Sequence, residues 1–215
     1  MKEIYFTPEN IQEKAKNMLF DVEKYVKIRK HNFNFRQTAL IILDMQDFFL
    51  KNDSHAFIPS SPAIIPQIQK LIENFKNKKR PIIFTKHLNT AQNVGMMDVW
   101  WKDILKEENS KSGITKDLNT EDAIIIEKNQ YDAFYNTELE NVLRQNNVEQ
   151  VIITGVMTHL CCETTARSAF VRGFIPFFAI DATATYNETF HRASLLNLSH
   201  GFAIPALTEE FLCKM

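Results

Sequence analysis

The amino-acid sequence predicts an α/β protein with a mostly parallel sheet and helices on both of its faces. Short runs rich in β-branched residues, each long enough for a strand buried on both faces, alternate with segments in which apolar residues recur at helical spacing. Parallel neighbours need crossover connections, which helices usually provide. A chain of 215 residues can bury a substantial core as one domain without disulfides or metal.

Five short runs are expected to be strands: TALIILD (38–44), RPIIFTK (80–86), DAIIIEK (122–128), EQVIITG (149–155) and IPFFAID (175–181). Four segments between and after them have helical spacing: 63–77, 137–147, 162–173 and 187–202. Ahead of the first strand, residues 1–35 are expected to form a helical extension, because apolar residues recur there at Ile11, Ala15, Leu19 and Val22. The main domain would then span residues 36–215.

Composition and charge narrow the class of partner. The formal net charge of −1, from 25 basic and 26 acidic residues, does not favour nucleic acid or an anionic membrane, so we expect a small neutral or weakly charged ligand. The first residues, MKEIYFTPEN, lack the apolar run of a secretory signal, and no stretch approaches the roughly 18 apolar residues of a membrane span. Three cysteines, two of them adjacent, do not make a secreted disulfide framework. We therefore expect a cytoplasmic protein.

The ends of the predicted strands are where a ligand site is expected. In parallel sheets of this kind the site lies beyond the carboxyl ends of the strands. Four side chains capable of chemistry stand at those ends: Asp44, His87, Lys128 and Cys161. Because the strand ends share one edge of the sheet, residues more than a hundred positions apart in the chain are expected to meet there.

Cys161 is the candidate nucleophile. It follows a strand that ends at Gly155 and is expected in the first turn of a helix, where backbone N–H groups and the helix dipole lower the pKa of a thiol. The same N–H groups can hold the oxyanion formed when a thiolate attacks a carbonyl, an interaction typically worth about 3 to 4 kcal/mol. The alternative is a small buried apolar residue, which is how we interpret Cys162 and Cys213.

Asp44 and Lys128 are the candidate partners of the thiol. A carboxylate at the end of an apolar strand needs a partner or an open site, and as a general base Asp44 can take the thiol proton and return it to a leaving amine. The ammonium of Lys128 would stabilise both the carboxylate and a thiolate. Taken singly, Asp44 also fits a helix cap or turn, and Lys128 a solvated lysine. Their joint placement with Cys161 favours the catalytic interpretation.

The walls of the site are expected to come from residues after the strand ends and from a long polar insertion at 87–121, since loops of that length are usually functional or disordered. Aromatic side chains suit pockets that bind small molecules, although each is also an ordinary core residue. The candidate pocket residues are Gln46, Phe48, His87, Trp100, Trp101, Tyr131, Phe134 and His159.

A metal site is not favoured by the sequence. His87 and the pair Asp53 and His55 are possible ligand types, but coordination needs two or three such residues to converge, and no second cluster has suitable spacing. His191 and His200 lie in the last helical segment and are interpreted as structural. We expect neither a metal nor another cofactor.

Three segments resemble the signatures of one family. ILDMQDFF (42–49), EKNQYDAFYNTEL (127–139) and GVMTHLCCETTARSAF (155–170) resemble those of the isochorismatase-like cysteine hydrolases, which include nicotinamidases, N-carbamoylsarcosine amidase, ureidoacrylate amidohydrolase and isochorismatases. The match runs from about Phe35 to Leu212, in the same order and at the same spacing. It implies a Rossmann-like three-layer α/β/α sandwich with a six-stranded, mainly parallel sheet, and a homodimer or homotetramer.

The resemblance also implies roles for individual residues. Asp44, Lys128 and Cys161 would form the catalytic triad, and Cys161 rather than Cys162 falls at the position of the nucleophile. A cis peptide bond would join Val156 and Met157. The oxyanion hole would consist of the backbone N–H groups of Met157 or Thr158 and of Cys161.

Two departures from the family pattern narrow the expected chemistry. Nicotinamidases carry a metal-binding Asp-x-His pair where this sequence has His87 and Asn89, so nicotinamidase is disfavoured. Many bacterial isochorismatases have glycine at the position of Cys161, and keeping a thiol favours acyl chemistry. We expect cleavage of a C–N bond in a small amide, carbamoyl or ureido compound through a cysteine thioester. The alternatives are vinyl ether hydrolysis that releases pyruvate, and a catalytically silent binding protein on the same fold.

Overall fold

The protein is built on a six-stranded sheet in which every pair of neighbouring strands is parallel. The computed structural model describes residues 1–26, 32–101 and 103–215. Within them the strands are β1 Thr38–Leu43, β2 Ile82–His87, β3 Ile124–Lys128, β4 Gln150–Val156, β5 Ile175–Ala184 and β6 Ile204–Ala206. Their order across the sheet is β3-β2-β1-β4-β5-β6. The expected α/β sandwich with six strands is confirmed, and its sheet is parallel throughout.

Helices flank the sheet. They are α1 Ile11–Val26, α2 Asp47–Leu50, α3 Ser61–Asn77, α4 Met97–Trp100, α5 Leu139–Gln145, α6 Glu163–Val171, α7 Glu188–Gly201 and α8 Thr208–Leu212. Helix α3 packs on β1, β4 and β5 and contacts α8, whereas α7 contacts both α1 and α6. Among the described helices, none combines the length and apolar character needed to cross a bilayer.

The connection after β4 differs from the expectation. A helix was expected to begin at about Cys161, but a π-helical turn at Thr158–Cys162 comes first and leads into α6. The N–H of Cys162 donates to the carbonyl oxygen of Met157 at 3.2 Å, the five-residue spacing of a π turn. Cys161 therefore lies inside this π turn and not in the first turn of α6.

The N-terminal extension packs into the same apolar core as the sheet. Tyr5, Phe6, Ile11 and Met18 are each at most 2% exposed and belong to one core cluster with the central strands. Helix α1 contacts α7, β5 and β6. The extension therefore shares the core of the domain that contains the strands.

Strands β1 and β4 are neighbours at the centre of the sheet, and the strand order runs outward from them in opposite directions. This is the switch point at which doubly wound sheets bind ligands. Near the carboxyl end Leu43 pairs with Gly155, whose φ is +100°. A Cβ at Gly155 would lie 2.1 Å from the backbone oxygen of Leu43. Only glycine permits this approach, which brings the segments after β1 and β4 together.

Candidate active site

Asp44, Lys128 and Cys161 meet at the carboxyl edge of the sheet. Asp44 follows β1 in a left-handed conformation with a φ of +51°, which Asp adopts more readily than most residues. Lys128 ends β3, and Cys161 lies in the π turn after β4. The Nζ of Lys128 lies 2.8 Å from Oδ2 of Asp44 and 3.4 Å from Sγ of Cys161. The structure thus brings together the three residues expected to form the triad.

The ammonium of Lys128 is surrounded by acceptors. It also donates to the carbonyl oxygen of Gln130 at 2.9 Å, and it lies 3.3 Å from Nδ1 of His87. Burial alone would lower the pKa of Lys128, but the charges of Asp44 and Cys161 hold it above its ordinary value. Lys128 is therefore a fixed, buried positive charge beside Asp44 and Cys161.

Thr85 of β2 orients Asp44. Its hydroxyl donates to Oδ1 of Asp44 at 2.6 Å and accepts from the N–H of Asp44 at 3.1 Å. Burial alone would raise the pKa of Asp44, whereas the charge of Lys128 and hydrogen bonding with Cys161 bring it below its ordinary value. Asp44 is therefore an oriented carboxylate. Thr85 was not anticipated; the signal for it is a hydroxyl side chain inside an apolar strand, which needs a buried partner.

The thiol of Cys161 is not acidified in the resting protein. Burial raises its pKa, the charge of Asp44 raises it further, and Lys128 opposes these effects only in part. The expectation of a lowered pKa was wrong because it left out burial and placed Cys161 at the start of a helix. A protonated thiol beside an ionised carboxylate suits a nucleophile that gives up its proton to that carboxylate as the reaction begins.

The backbone of the π turn defines which amides are free to face a substrate. The peptide bond between Val156 and Met157 is cis, as the resemblance implied. The N–H groups of Leu160 and Cys162 both donate to the carbonyl oxygen of Met157, at 3.1 and 3.2 Å. Those two amides are used within the turn. The oxyanion hole predicted from neighbouring amides remains a prediction.

His87 is a neutral acceptor for Lys128. The amide nitrogen of Asn89 donates to the backbone oxygen of Asn129 at 2.9 Å, so Oδ1 of Asn89 faces His87. The Nε2–H of His87 then donates to that Oδ1 at 2.9 Å, and its Nδ1 is left to accept from Lys128. Burial and the charge of Lys128 lower the pKa of His87 to about 4.

The described residues of this cluster suit an ammonium rather than a metal ion. One potential ligand atom each from Asp44, His87 and Cys161 lies within 4.8 Å of the other two. The Nζ of Lys128 already lies among them, at 2.8, 3.3 and 3.4 Å, where a bound cation would have to sit. Its positive charge would also repel such a cation.

Asp53 and His55, the other candidate ligands, form ion pairs elsewhere. The carboxylate of Asp53 lies 2.9 Å from Nζ of Lys111. Nδ1 of His55 lies 3.6 Å from Oδ2 of Asp103. Both members of the second pair line the cavity described next, and both are largely exposed. They lie toward its mouth.

A mostly apolar cavity of about 290 Å³ lies against Cys161 and Asp44. Five of the predicted pocket residues line it: Phe48, His87, Trp100, Trp101 and Tyr131. Met157, expected in the oxyanion hole, also lines it. The lining residues that the sequence did not single out for the pocket are Phe49, His55, Ala56, Asn89, Met97, Asp103, Ile104, Leu105, Val156, Leu160 and Tyr186. Most of them come from loops and turns whose folding cannot be deduced from periodicity; Phe49, Met97 and Val156 belong to α2, α4 and β4.

Gln46 was predicted to line the pocket, but it lies behind it. Its Oε1 accepts from the N–H of His87 at 2.8 Å, and its Nε2 donates to the carbonyl oxygens of His87 at 3.1 Å and of Ser112 at 2.7 Å. All of its hydrogen-bonding groups serve the backbone. Gln46 therefore positions His87 instead of meeting a ligand.

Phe134, Thr158 and His159 do not line the cavity either. Phe134 is buried against Phe174, with ring centroids 5.9 Å apart, so it is a core residue. The ring of His159 stacks on Phe190 at 4.4 Å. The side chain of Thr158 is completely buried within the turn. Helical twist in the π turn directs the side chains of Thr158 and His159 away from the side that Cys161 presents.

Comparisons with known proteins point to one family. The family model described as Isochorismatase domain matches residues 38–210. Nicotinamidase 3 of Arabidopsis thaliana is 37% identical over 180 residues, covering 81% of this chain and 87% of that protein. Enterobactin synthase component B of Escherichia coli (strain K12) is 29% identical over 183 residues, covering 84% of this chain and 64% of that protein.

Solved structures show the same likeness. The crystal structure of a cysteine hydrolase from Pseudomonas syringae pv. phaseolicola 1448A superimposes with a TM-score of 0.82 at 26% identity, covering 86% of this chain and 95% of that one. The fold and the matched segments define a hydrolase-type α/β domain. The chain belongs to the isochorismatase family.

Proposed function

We propose that this protein is a cysteine amidohydrolase that cleaves the C–N bond of a small, neutral amide, carbamoyl or ureido compound. One observation carries the proposal: the buried ammonium of Lys128 contacts both the carboxylate of Asp44 and the thiol of Cys161, and these two residues line an apolar cavity. Nucleophile, base and charge stabiliser are thus within reach of one another.

The first half of the reaction forms a thioester. Sγ of Cys161 attacks the carbonyl carbon while its proton moves to the carboxylate of Asp44. Backbone N–H groups of Cys161 and of Met157 or Thr158 stabilise the oxyanion, an effect worth about 3 to 4 kcal/mol per donor in other enzymes. As the C–N bond breaks, Asp44 returns the proton to the nitrogen, and ammonia or an amine leaves.

The second half consumes water. Asp44 removes a proton from a water molecule, whose oxygen attacks the thioester carbonyl. The carbon–sulfur bond breaks, the proton returns to the thiol, and the acid product leaves. Lys128 remains an ammonium throughout and stabilises each negative charge as it develops.

The walls of the cavity favour a planar substrate. Phe48, Trp101 and Tyr131 contribute aromatic surface. The indole N–H of Trp101 donates to the hydroxyl oxygen of Tyr131 at 2.8 Å, so the hydroxyl proton of Tyr131 is left to bond a ligand. The missing Asp-x-His pair weighs against nicotinamide, while the likeness to a protein named Nicotinamidase 3 weighs for it. Nicotinamide is therefore the first compound to test.

The test is ammonia release by purified protein from nicotinamide and a panel of amides, carbamoyl and ureido compounds. Cys161→Ala and Asp44→Asn should abolish release, and Cys213→Ala, which alters an exposed thiol, should leave it unchanged. Near-normal turnover by Cys161→Ala would contradict the mechanism. Binding of a panel compound without turnover by any of the four proteins would favour a silent binding protein.

A second candidate is hydrolysis of a vinyl ether with release of pyruvate, which the match to the Isochorismatase domain favours. It would use Asp44 as the proton donor. The lowered pKa of Asp44 works against this role, since the group is ionised at neutral pH. Pyruvate release from isochorismate that survives Cys161→Ala would establish this alternative.

We also propose a homodimer or homotetramer. The side chains of Ile124 and Ile125 on the edge strand β3 are 37% and 50% exposed, and exposed apolar edge strands usually find a partner. Light scattering after size exclusion measures the mass directly. A monomer at micromolar concentration would contradict this part of the proposal.

A further inference from the structure

The N-terminal segment, residues 1–6, lies ahead of α1 and outside the matched family domain at 38–210. It is anchored by its backbone. The N–H groups of Tyr5 and Phe6 both donate to Oγ of Ser60, at 2.9 and 3.0 Å. Because this anchor uses main-chain atoms of the segment, the side chains are free to make other contacts.

The side chain of Tyr5 reaches the π turn that holds Cys161. Its hydroxyl oxygen accepts from the N–H of Thr185 at 3.0 Å and lies 2.9 Å from Nδ1 of His191. The same Nδ1 lies 3.2 Å from Oγ1 of Thr158, which begins the π turn. One buried chain of hydrogen bonds therefore links the N-terminal segment to the turn.

The neighbouring residues of the segment touch the wall of the cavity. The N–H of Glu3 donates to the carbonyl oxygen of Tyr186 at 2.8 Å. The ammonium of Lys2 lies 4.5 Å from the centre of the Tyr186 ring and donates to the carbonyl oxygen of His55. Tyr186 and His55 both line the cavity. The segment thus contacts the active site at its wall as well as at its turn.

We propose that Tyr5 is a positioning residue for Cys161, and that the N-terminal segment is a working part of the active site. The inference rests on the proposed function for its kinetic consequence, but not for its geometry. Tyr5 and His191 are completely or almost completely buried, and burial lowers the pKa of His191 to about 3, so the link is neutral. A buried neutral network holds one geometry because each lost hydrogen bond leaves a polar group unsatisfied.

The test compares Tyr5→Phe with Tyr25→Phe. Both remove one hydroxyl from the N-terminal extension, but the ring of Tyr25 packs against His200, near the C-terminal end of α7 and away from His191. We expect Tyr5→Phe to lower kcat about tenfold with KM changed less than twofold, because small displacements of a nucleophile mainly affect the chemical step. Tyr25→Phe should change neither. Rates are taken per folded molecule, with the folded fraction measured by circular dichroism.

A second readout needs no substrate. The rate at which iodoacetamide alkylates Cys161 is followed by mass spectrometry between pH 7 and 10, with Cys213 in the same protein as the internal standard. We expect Tyr5→Phe to change the ratio of the two rates at least about threefold, since the thiol would sit differently between its two charged neighbours. Tyr25→Phe should keep the wild-type ratio.

The two readouts separate the possible failures. If wild-type protein hydrolyses no compound on the panel, the proposed function fails, and the alkylation ratio alone decides the role of Tyr5. If Tyr5→Phe matches Tyr25→Phe in the alkylation ratio, and in kcat where kcat is measurable, Tyr5 does not position Cys161 and the inference is overturned.

Discussion

The ammonium of Lys128 lies 2.8 Å from the carboxylate of Asp44, and neither side chain is more than 1% exposed. Removing both charges from water is strongly unfavourable, and only their mutual attraction and the surrounding hydrogen bonds offset it. Each residue therefore offsets the cost of burying the other's charge. Losing one leaves a buried charge without its counterpart.

Stability should reveal this dependence. We expect Asp44→Asn and Lys128→Met each to lower the free energy of unfolding by about 3 to 5 kcal/mol, the usual effect of breaking a buried pair. Asn is chosen at position 44 because it tolerates the left-handed backbone there. The double variant should lose clearly less than the sum of the two. Urea denaturation of the four proteins measures this, and strict additivity would show that the pair does not act as a unit.

Gly155 should be irreplaceable. Alanine would place a Cβ 2.1 Å from the backbone oxygen of Leu43, so β1 and β4 would have to separate at the site. We expect Gly155→Ala to give no soluble folded protein. Gly173→Ala is the control, because its φ of +83° is also left-handed but no atom beyond its chain neighbours lies within 4 Å of the new Cβ. That variant should lose only about 1 to 2 kcal/mol. Normal expression and cooperative unfolding of Gly155→Ala would refute the steric argument.

Stability should fall as the pH drops from about 6.5 to 4. The pKa of His87 is about 4 in the folded protein and near its ordinary 6.5 when unfolded, so in this range the unfolded chain binds the extra proton. This pKa difference of His87 contributes about 3 kcal/mol to the free energy of unfolding above pH 6.5, and the contribution is lost on acidification. His191, at about 3, adds a loss of the same sign. His87→Asn should flatten the urea-measured profile between pH 4 and 6.5, and an equal slope in both proteins would speak against it.

The pH dependence of catalysis should lack a cysteine titration near pH 8 to 9. Cys161 has a raised pKa and Asp44 a lowered one, so the ionised base and protonated thiol coexist across neutral pH. We expect kcat/KM to be flat from about pH 6 to 8, since neither group changes charge there. A rise with a midpoint near the ordinary thiol pKa of about 8.5 would indicate that a preformed thiolate is required.

Tyr131 should determine how tightly substrate binds. Without its hydroxyl, the indole N–H of Trp101 loses its acceptor and the cavity loses a donor. We expect Tyr131→Phe to raise KM about fivefold with little change in kcat, matching about 1 kcal/mol for one hydrogen bond. Tyr135→Phe serves as the control, because that side chain is 51% exposed. Equal KM values for the two variants would remove Tyr131 from substrate binding.

Local pattern and topology together predict much of this architecture. Five of the six strands follow from apolar runs, although the run of β3 is partly exposed. A sixth strand was expected only from the family resemblance, and Ile204–Ala206 is too short to show a period. The meeting of Asp44, Lys128 and Cys161 follows from the rule that ligands bind beyond strand ends. Such arguments predict which segments of the backbone meet at the carboxyl edge of the sheet.

Side-chain direction and burial are less accessible to sequence reasoning. The π turn was unforeseen, so His159 was expected at the pocket although its ring stacks on Phe190. Asn89 and Tyr186 line the cavity through irregular backbone, which has no period to detect. The pKa of Cys161 was expected to move in the wrong direction because burial, which dominates it, depends on the completed fold.

The hydrogen bond between Tyr5 and His191 joins residues 186 positions apart. During synthesis Tyr5 leaves the ribosome long before His191 is made, so Asp44, Lys128 and Cys161 have all emerged before this link can form. A nascent chain arrested just before α7 would contain every member of the expected triad but not His191, which links Tyr5 to the π turn. The link between Tyr5 and the π turn can therefore form only after α7 has been synthesised.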